Sequence, residues 1–151
     1  MPLDPSYVGH SYPPSRPFQV CREKIREFAT AIGDDNPVYL DPQAARTLGH
    51  PDVLAPPTFL TVLSFLGDDT VISDPGLGLD YSRVVHGEQR FLSHRPLYAG
   101  DTVVGVTSID GIRAAGGNDI LSTRTEVSTV EGEPVATLFA TLVARGTAAG
   151  A

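Results

Sequence analysis

The sequence predicts an α+β domain in which a curled antiparallel sheet wraps around one buried central helix. Three observations lead there. Residues 58–66 are apolar almost all round, which is wrong for a surface helix and right for a buried one. From Val84 onward the chain changes to runs of β-branched residues with partial alternation, the pattern of strands. Gly116-Gly117-Asn118-Asp119 and Glu131-Gly132-Glu133-Pro134 fall where hairpin turns are needed, giving about four long strands after the helix.

Taken in order, the opening stretch to Pro17 is rich in Pro, Ser, Tyr and Gly, and is expected to be an irregular arm crossing the surface or a neighbouring subunit. Residues 22–32 place Ile25, Phe28, Ala29 and Ile32 on one face of an amphipathic helix, and Gly33 suits the left-handed position that ends it. Asp41 as N-cap and Pro42 at the first helical position start a second short helix, with Gly49 as its stop. The two helices bracket a loop from Gly33 to Leu40. The central helix follows Pro56-Pro57 and is closed by Gly67-Asp68-Asp69. Strands are expected around residues 101–109 and 121–127. A single domain over 18–146 is thus flanked by the arm, 1–17, and a flexible tail, 147–151.

Composition narrows the function. At 151 residues the chain fits one domain with a real core. No run approaches the roughly 18 apolar residues of a membrane span, so no membrane is expected. Met1-Pro2-Leu3-Asp4-Pro5 has neither the basic start nor the apolar stretch of a secretory signal. Cys21 is the one cysteine, which excludes an internal disulfide and suits a reducing cytoplasm. A formal charge of −7 with 11 Lys plus Arg argues against nucleic acid as a partner, while leaving room for a local contact with a phosphorylated small molecule or an acidic carrier protein. His10 and His50 have no partners at metal-ligand spacing, so no metal and no cofactor are expected.

The most informative segment is Gly33-Asp34-Asp35-Asn36-Pro37-Val38-Tyr39. A carboxylate just beyond a helix end, beside an Asn and a Pro-stiffened turn, has a fixed position, as a general base requires. The plain alternative is a turn in which Asp34, Asp35 and Asn36 bond nearby amides. Spacing alone leaves both open. Further on, His86-Gly87-Glu88 sets an imidazole beside a carboxylate, a possible acid–base pair or an ordinary strand histidine.

With these residues the chain resembles the MaoC-like family of (R)-specific enoyl hydratases and 3-hydroxyacyl thioester dehydratases, whose motif is Asp-x-Asn-Pro-x-His after a small residue. Residues 34–38 match and Tyr39 stands at the histidine position. The resemblance implies a hot-dog fold, Asp34 as base and Asn36 as a positioning residue, acting on the thioester proton or on water. A phenol with a pKa near ~10 is poorly matched to that task at neutral pH, whereas imidazole near ~6.5 is well matched. Before the central helix the family sets a backbone N–H against the thioester oxygen; here the chain runs Ala55-Pro56-Pro57-Thr58-Phe59, and Pro57 has no N–H to offer, leaving Thr58 to substitute after a shift.

Residues 84–91, followed by 94–101, are similar to the acyl-accommodating half of double hot-dog hydratases. They also resemble the accessory, FAS1-like dehydratase N-terminal subunits of heterodimeric 3-hydroxyacyl carrier-protein dehydratases of actinobacterial type. This resemblance runs from about Tyr7 to Arg145. It implies that Gly87 and Glu88 line the substrate beside His86, and that His94 and Arg95 meet the phosphates of coenzyme A or phosphopantetheine, with a solvated strand end as the alternative. The expected partner is an acyl-CoA or acyl-ACP thioester, held by a homodimer or by a heterodimer with a second hot-dog chain carrying the intact motif. The expected role is that of a dehydratase subunit accommodating the acyl chain, whose length would depend on how Phe59, Leu63 and Phe65 pack. A non-catalytic acyl-thioester-binding module, an autonomous homodimeric hydratase using Asp34, and a hot-dog thioesterase are the alternatives.

Overall fold

The runs of Val, Ile and Thr form five antiparallel strands in one sheet: β1 (Phe18–Gln19), β2 (Val84–Ser93), β3 (Thr102–Ala115), β4 (Asn118–Thr129) and β5 (Pro134–Ala144). The computed structural model describes residues 1–65 and 70–148. Strand order is β1-β3-β4-β5-β2, so the four long strands are those expected and β1 is an unforeseen short one. The β3–β4 hairpin turns on Gly116 and Gly117, with φ of 57° and 78°; two successive left-handed residues match the twist of the strands, and glycine adopts them without a Cβ penalty.

Helix α1 (Arg22–Ala31) ends at Gly33, and α3 (Pro42–Thr47) starts on the Asp41 cap, whose side chain accepts from the Gln43 N–H. Between them the expected loop contains one further turn, α2 (Pro37–Leu40). Ile25 and Ala29 are buried as the helical face requires, but Ile32 is 49% exposed because it is the C-cap and has left that face.

The central apolar segment is buried but is not an α-helix. Phe59–Phe65 is a 3₁₀ helix, with the Phe59 N–H donating to the Pro56 carbonyl (2.9 Å) and Thr61 N–H to that of Thr58 (3.1 Å). Two prolines without N–H groups precede it, and β-branched Thr61 and Val62 lie within it, so packing of Phe59, Leu60 and Val62 holds the segment more than helix propensity does. The expected cap at Gly67-Asp68-Asp69 and the side chain of Phe65 lie outside the described residues.

Packing divides into two clusters. One joins Phe59 to Ile25 of α1 and to Val103, Val127 and Val135 of the sheet. The other gathers Leu77, Ile109, Leu121 and Leu142 around Leu3 and Tyr12 of the arm. The arm is therefore part of this chain's own core and not a strap over a surface. It runs along β3: the Tyr12 N–H donates to the Thr107 carbonyl and Ser15 N–H to that of Gly105, each at 2.8 Å. Together with β1 it covers the outer side of β3, leaving β2 as the edge with no further strand among the described residues. Thr147 and Ala148, expected in the flexible tail, are buried; residues 149–151 lie outside the described residues. Among the described residues no helix is long and apolar enough to cross a membrane.

Candidate functional site

Asp34 follows the end of α1, where its N–H donates to the Ala29 carbonyl at 2.9 Å. Its carboxylate accepts the Asn36 N–H (3.1 Å), and the Asn36 side chain accepts the Val38 N–H (3.1 Å) as the N-cap of α2. Both side chains thus do local turn and cap work. Tyr39 packs partly buried against the first core cluster. Burial, and then the charge of Asp34, raise its phenol above its ordinary range and so further from neutral pH. None of the three lines either of the cavities described below.

The first cavity, about 390 Å³, lies between the concave face of the sheet, the central segment and the arm. Leu63, Leu138, Ala140 and Leu142 are among its apolar walls; Thr107, Thr123, Thr125 and Gln89 add neutral polar groups. Among the described residues no Asp, Glu, Lys or Arg lines it. Thr107 and Thr125 hydrogen-bond each other at 2.8 Å, which meets much of their polarity without a ligand. Such a space suits an uncharged, mostly aliphatic group.

His86 reaches this cavity because of a β-bulge. His86 pairs with Leu142 but Glu88 pairs with Thr141, so Gly87 and Glu88 together oppose one residue. The extra residue inverts the alternation of β2. His86 therefore shares the concave face with Gln89, three residues on, while Glu88 faces the other way with Thr141. The expected pairing of His86 with Glu88 as acid and base is not formed, and Glu88 does not line the cavity. Gly87 fits the bulge closely: a Cβ there would lie 3.4 Å from the Thr141 carbonyl oxygen. Gln89 is not among the residues the sequence singles out; the mid-strand glycine is the available signal.

A second cavity, about 450 Å³, is lined by Ala55, Pro56, Pro57, Phe91, His94 and Arg95 among others. Thr58 does not line it, and Phe59 is core, fully buried between the rings of Phe18 and Phe28. His94 Nε2 lies 2.9 Å from the Thr137 hydroxyl, which donates its proton to Glu126 at 2.8 Å. The hydroxyl must then accept from His94 Nε2–H, which leaves Nδ1 as the acceptor of the neutral ring.

Arg95 is committed inside the protein. Its guanidinium grips Asp101 through two hydrogen bonds of 2.9 and 3.1 Å. Glu133 adds charge at 3.3 Å from Nε, although that N–H is not aligned to form a hydrogen bond. The two carboxylates beside it offset the Arg95 charge and so weaken it as a phosphate ligand. Burial raises the Asp101 carboxyl, but hydrogen bonds from Arg95 and the Tyr98 N–H, with the Arg95 charge, outweigh it and hold the group below its ordinary 3.8. A depressed folded-state pKa contributes stability above the unfolded value that is lost as pH falls through the folded one. Wild type is therefore expected to lose thermal stability on acidification below about pH 4, with a shallower fall in Asp101→Asn; melts between about pH 6 and pH 3 check this, and parallel curves would exclude it.

Among the described residues no three His, Cys, Asp or Glu side chains are grouped to hold a metal ion.

The comparisons with known proteins agree with this architecture. The family model of the FAS1-like dehydratase domain region matches residues 6–138. A UPF0336 protein of Saccharopolyspora erythraea is 57% identical over 148 residues, 98% of this chain and 95% of that protein. Among solved structures, a MaoC-like dehydratase superposes with a TM-score of 0.83 at 32% identity over 93% of this chain, which spans 42% of that protein's length. The HadBC (3R-hydroxyacyl-ACP dehydratase) complex of Mycobacterium tuberculosis superposes with a TM-score of 0.79 at 32% identity, covering 91% of this chain and 96% of the matched one. A five-stranded sheet wrapped around a buried apolar segment, on a chain matched over nearly its whole length, makes this a hot-dog protein of the FAS1-like dehydratase-region family, related to the UPF0336 proteins and to MaoC-like dehydratases.

Proposed function

We propose that the chain is the acyl-accommodating subunit of an (R)-specific 3-hydroxyacyl-thioester dehydratase, working with a second hot-dog chain that carries Asp-x-Asn-Pro-x-His. The observation behind the reading is the cavity on the concave face, with no Asp, Glu, Lys or Arg among its described lining residues, lined by His86 and Gln89 at the β2 edge and by none of Asp34, Asn36 or Tyr39. The acyl tail occupies this cavity. The second chain supplies the proton chemistry: removal of the C2 proton and protonation of the leaving C3 hydroxyl, giving water and a trans-2-enoyl thioester. With Arg95 tied to Asp101, the coenzyme A or carrier-protein handle also falls to that chain.

The partner docks along β2. This ten-residue strand bonds β5 on one side and no strand on the other among the described residues, and it exposes Val85 (42%) and Leu92 (50%). A long bare edge with apolar side chains is a template for strand addition. The related HadBC complex, described as a 3R-hydroxyacyl-ACP dehydratase, supports a two-chain assembly.

The test is hydration of crotonyl-coenzyme A and a longer trans-2-enoyl thioester by wild type and Asp34→Asn, each with and without a motif-bearing partner. Turnover is expected only with the partner and to be the same within a few-fold for both forms. Turnover by the chain alone, abolished by Asp34→Asn, would replace this reading with an autonomous hydratase. Thioester binding without turnover in every pairing would make the chain a binding module, and release of free thiol would mark a thioesterase.

A further inference from the structure

Gly105 occupies the wall of the first cavity at a place where three elements converge. It is buried on β3. A Cβ built there would lie 3.1 Å from Thr125 Cγ2 on β4, 3.8 Å from Leu63 Cδ1 on the central segment and 3.9 Å from Ser15 Oγ on the arm. Its backbone is clamped as well: the Gly105 N–H donates to Ser15 Oγ at 2.9 Å, and its carbonyl accepts the Ser15 N–H at 2.8 Å. Thr125 is held by its 2.8 Å bond to Thr107. The position is already crowded and its walls are tied to one another, so a side chain added at 105 displaces its neighbours into the cavity.

Its position within the sheet gives that displacement a meaning. His86 and Gln89 lie on β2, at the edge of the sheet, whereas Gly105 lies on β3, beyond β5 and β4. Three inter-strand spacings, about 14 Å measured along the sheet, separate the two strands. A chain entering beside β2 and crossing the concave face comes last to Gly105.

We propose that Gly105 sets the depth of the acyl cavity, and that this subunit measures acyl length where the arm, Leu63 and β3 meet. The inference rests on the reading of this cavity as the acyl site. A side chain at position 105 shortens the chain that fits, and removing Leu63 lengthens it. Each methylene denied burial costs roughly fourfold in affinity, the equivalent of about 0.8 kcal/mol.

The experiment measures binding of butanoyl-, octanoyl-, dodecanoyl- and hexadecanoyl-coenzyme A by calorimetry, using the full chain with any partner that co-purifies. Gly105→Ala, Gly105→Val and Leu63→Ala are compared with wild type, and Gly111→Ala serves as a strand-glycine control, since its Cβ would meet nothing nearer than Ser122 Cβ at 4.0 Å. The expected result is loss of the long acyl chains with the short ones retained in the Gly105 variants, a shift toward longer chains in Leu63→Ala, and no shift in Gly111→Ala. A folded Gly105→Ala whose affinities are unchanged or fall equally for every chain length overturns the proposal while leaving the acyl site standing. Should Gly105→Val fail to fold, Leu63→Ala decides, and an unshifted length profile there counts against the proposal. Wild type that binds no acyl thioester removes the acyl-site reading and this proposal with it.

Discussion

Phe59→Ala is expected to lower the free energy of unfolding by about 3–5 kcal/mol, the range for a large aromatic cut from a packed core. Phe59 is 0% exposed. Its ring stacks on Phe18 at 6.5 Å and meets Phe28 edge-on at 5.6 Å, so one side chain joins the central segment to β1 and to α1. Deleting it removes buried apolar area and two aromatic contacts, and leaves a cavity that surrounding elements of different origin cannot close. Urea denaturation of the two forms measures the loss. Phe59→Leu, which keeps much of the volume, is expected to cost only about 1.5 kcal/mol or less. A loss in Phe59→Ala below about 1 kcal/mol would mean that the segment is not packed between these rings. An altered acyl preference without destabilisation would return Phe59 to the substrate site.

Asp119→Ala is the second large effect, at about 3 kcal/mol, taking hydrogen bonds to a charged acceptor at roughly 1.5–3 kcal/mol each and allowing for partial recovery by solvent. Asp119 is only 4% exposed, and one of its oxygens accepts both the Leu3 N–H at 3.1 Å and the Thr147 hydroxyl at 2.8 Å. A single carboxylate at the start of β4 therefore holds the N-terminal arm and the segment after β5. Replacing it leaves the Leu3 N–H buried without an acceptor and the Thr147 hydroxyl with the Ala144 carbonyl alone, at 3.0 Å. Both ends should then become protease-sensitive together, while Asp119→Asn, which keeps an acceptor oxygen, should be far milder. Mass-resolved limited proteolysis reads this directly. Cleavage at one end alone would show that the two ends are held independently.

The segment from Gly33 to Tyr39 shows how far sequence reaches into the candidate site. The residue types, the helix stop and the Pro-led turn were legible because each depends on neighbours within a few positions. In the structure the side chains of Asp34 and Asn36 bond the amides two residues on. Tyr39 could be recognised as a poor proton carrier from its chemistry alone. Its burial against the core and its placement by Asp34, which push the phenol further from neutrality, required the folded chain.

By itself the sequence determined the local elements: the end of α1 at Gly33, the Asp41-Pro42 start of α3, the hairpin turns and the four long strands. It also determined that the apolar stretch before the sheet would be buried. These follow from backbone preferences and periodicities that act over short distances along the chain. Only the tertiary structure decided that this stretch is a 3₁₀ helix, that the arm seals the edge of β3, that the bulge turns His86 and Gln89 inward and Glu88 outward, and that Asp101 captures Arg95. Each of those outcomes depends on strand register or on groups that meet in space, where one inserted residue inverts a face and a charge takes whichever partner the fold brings within reach.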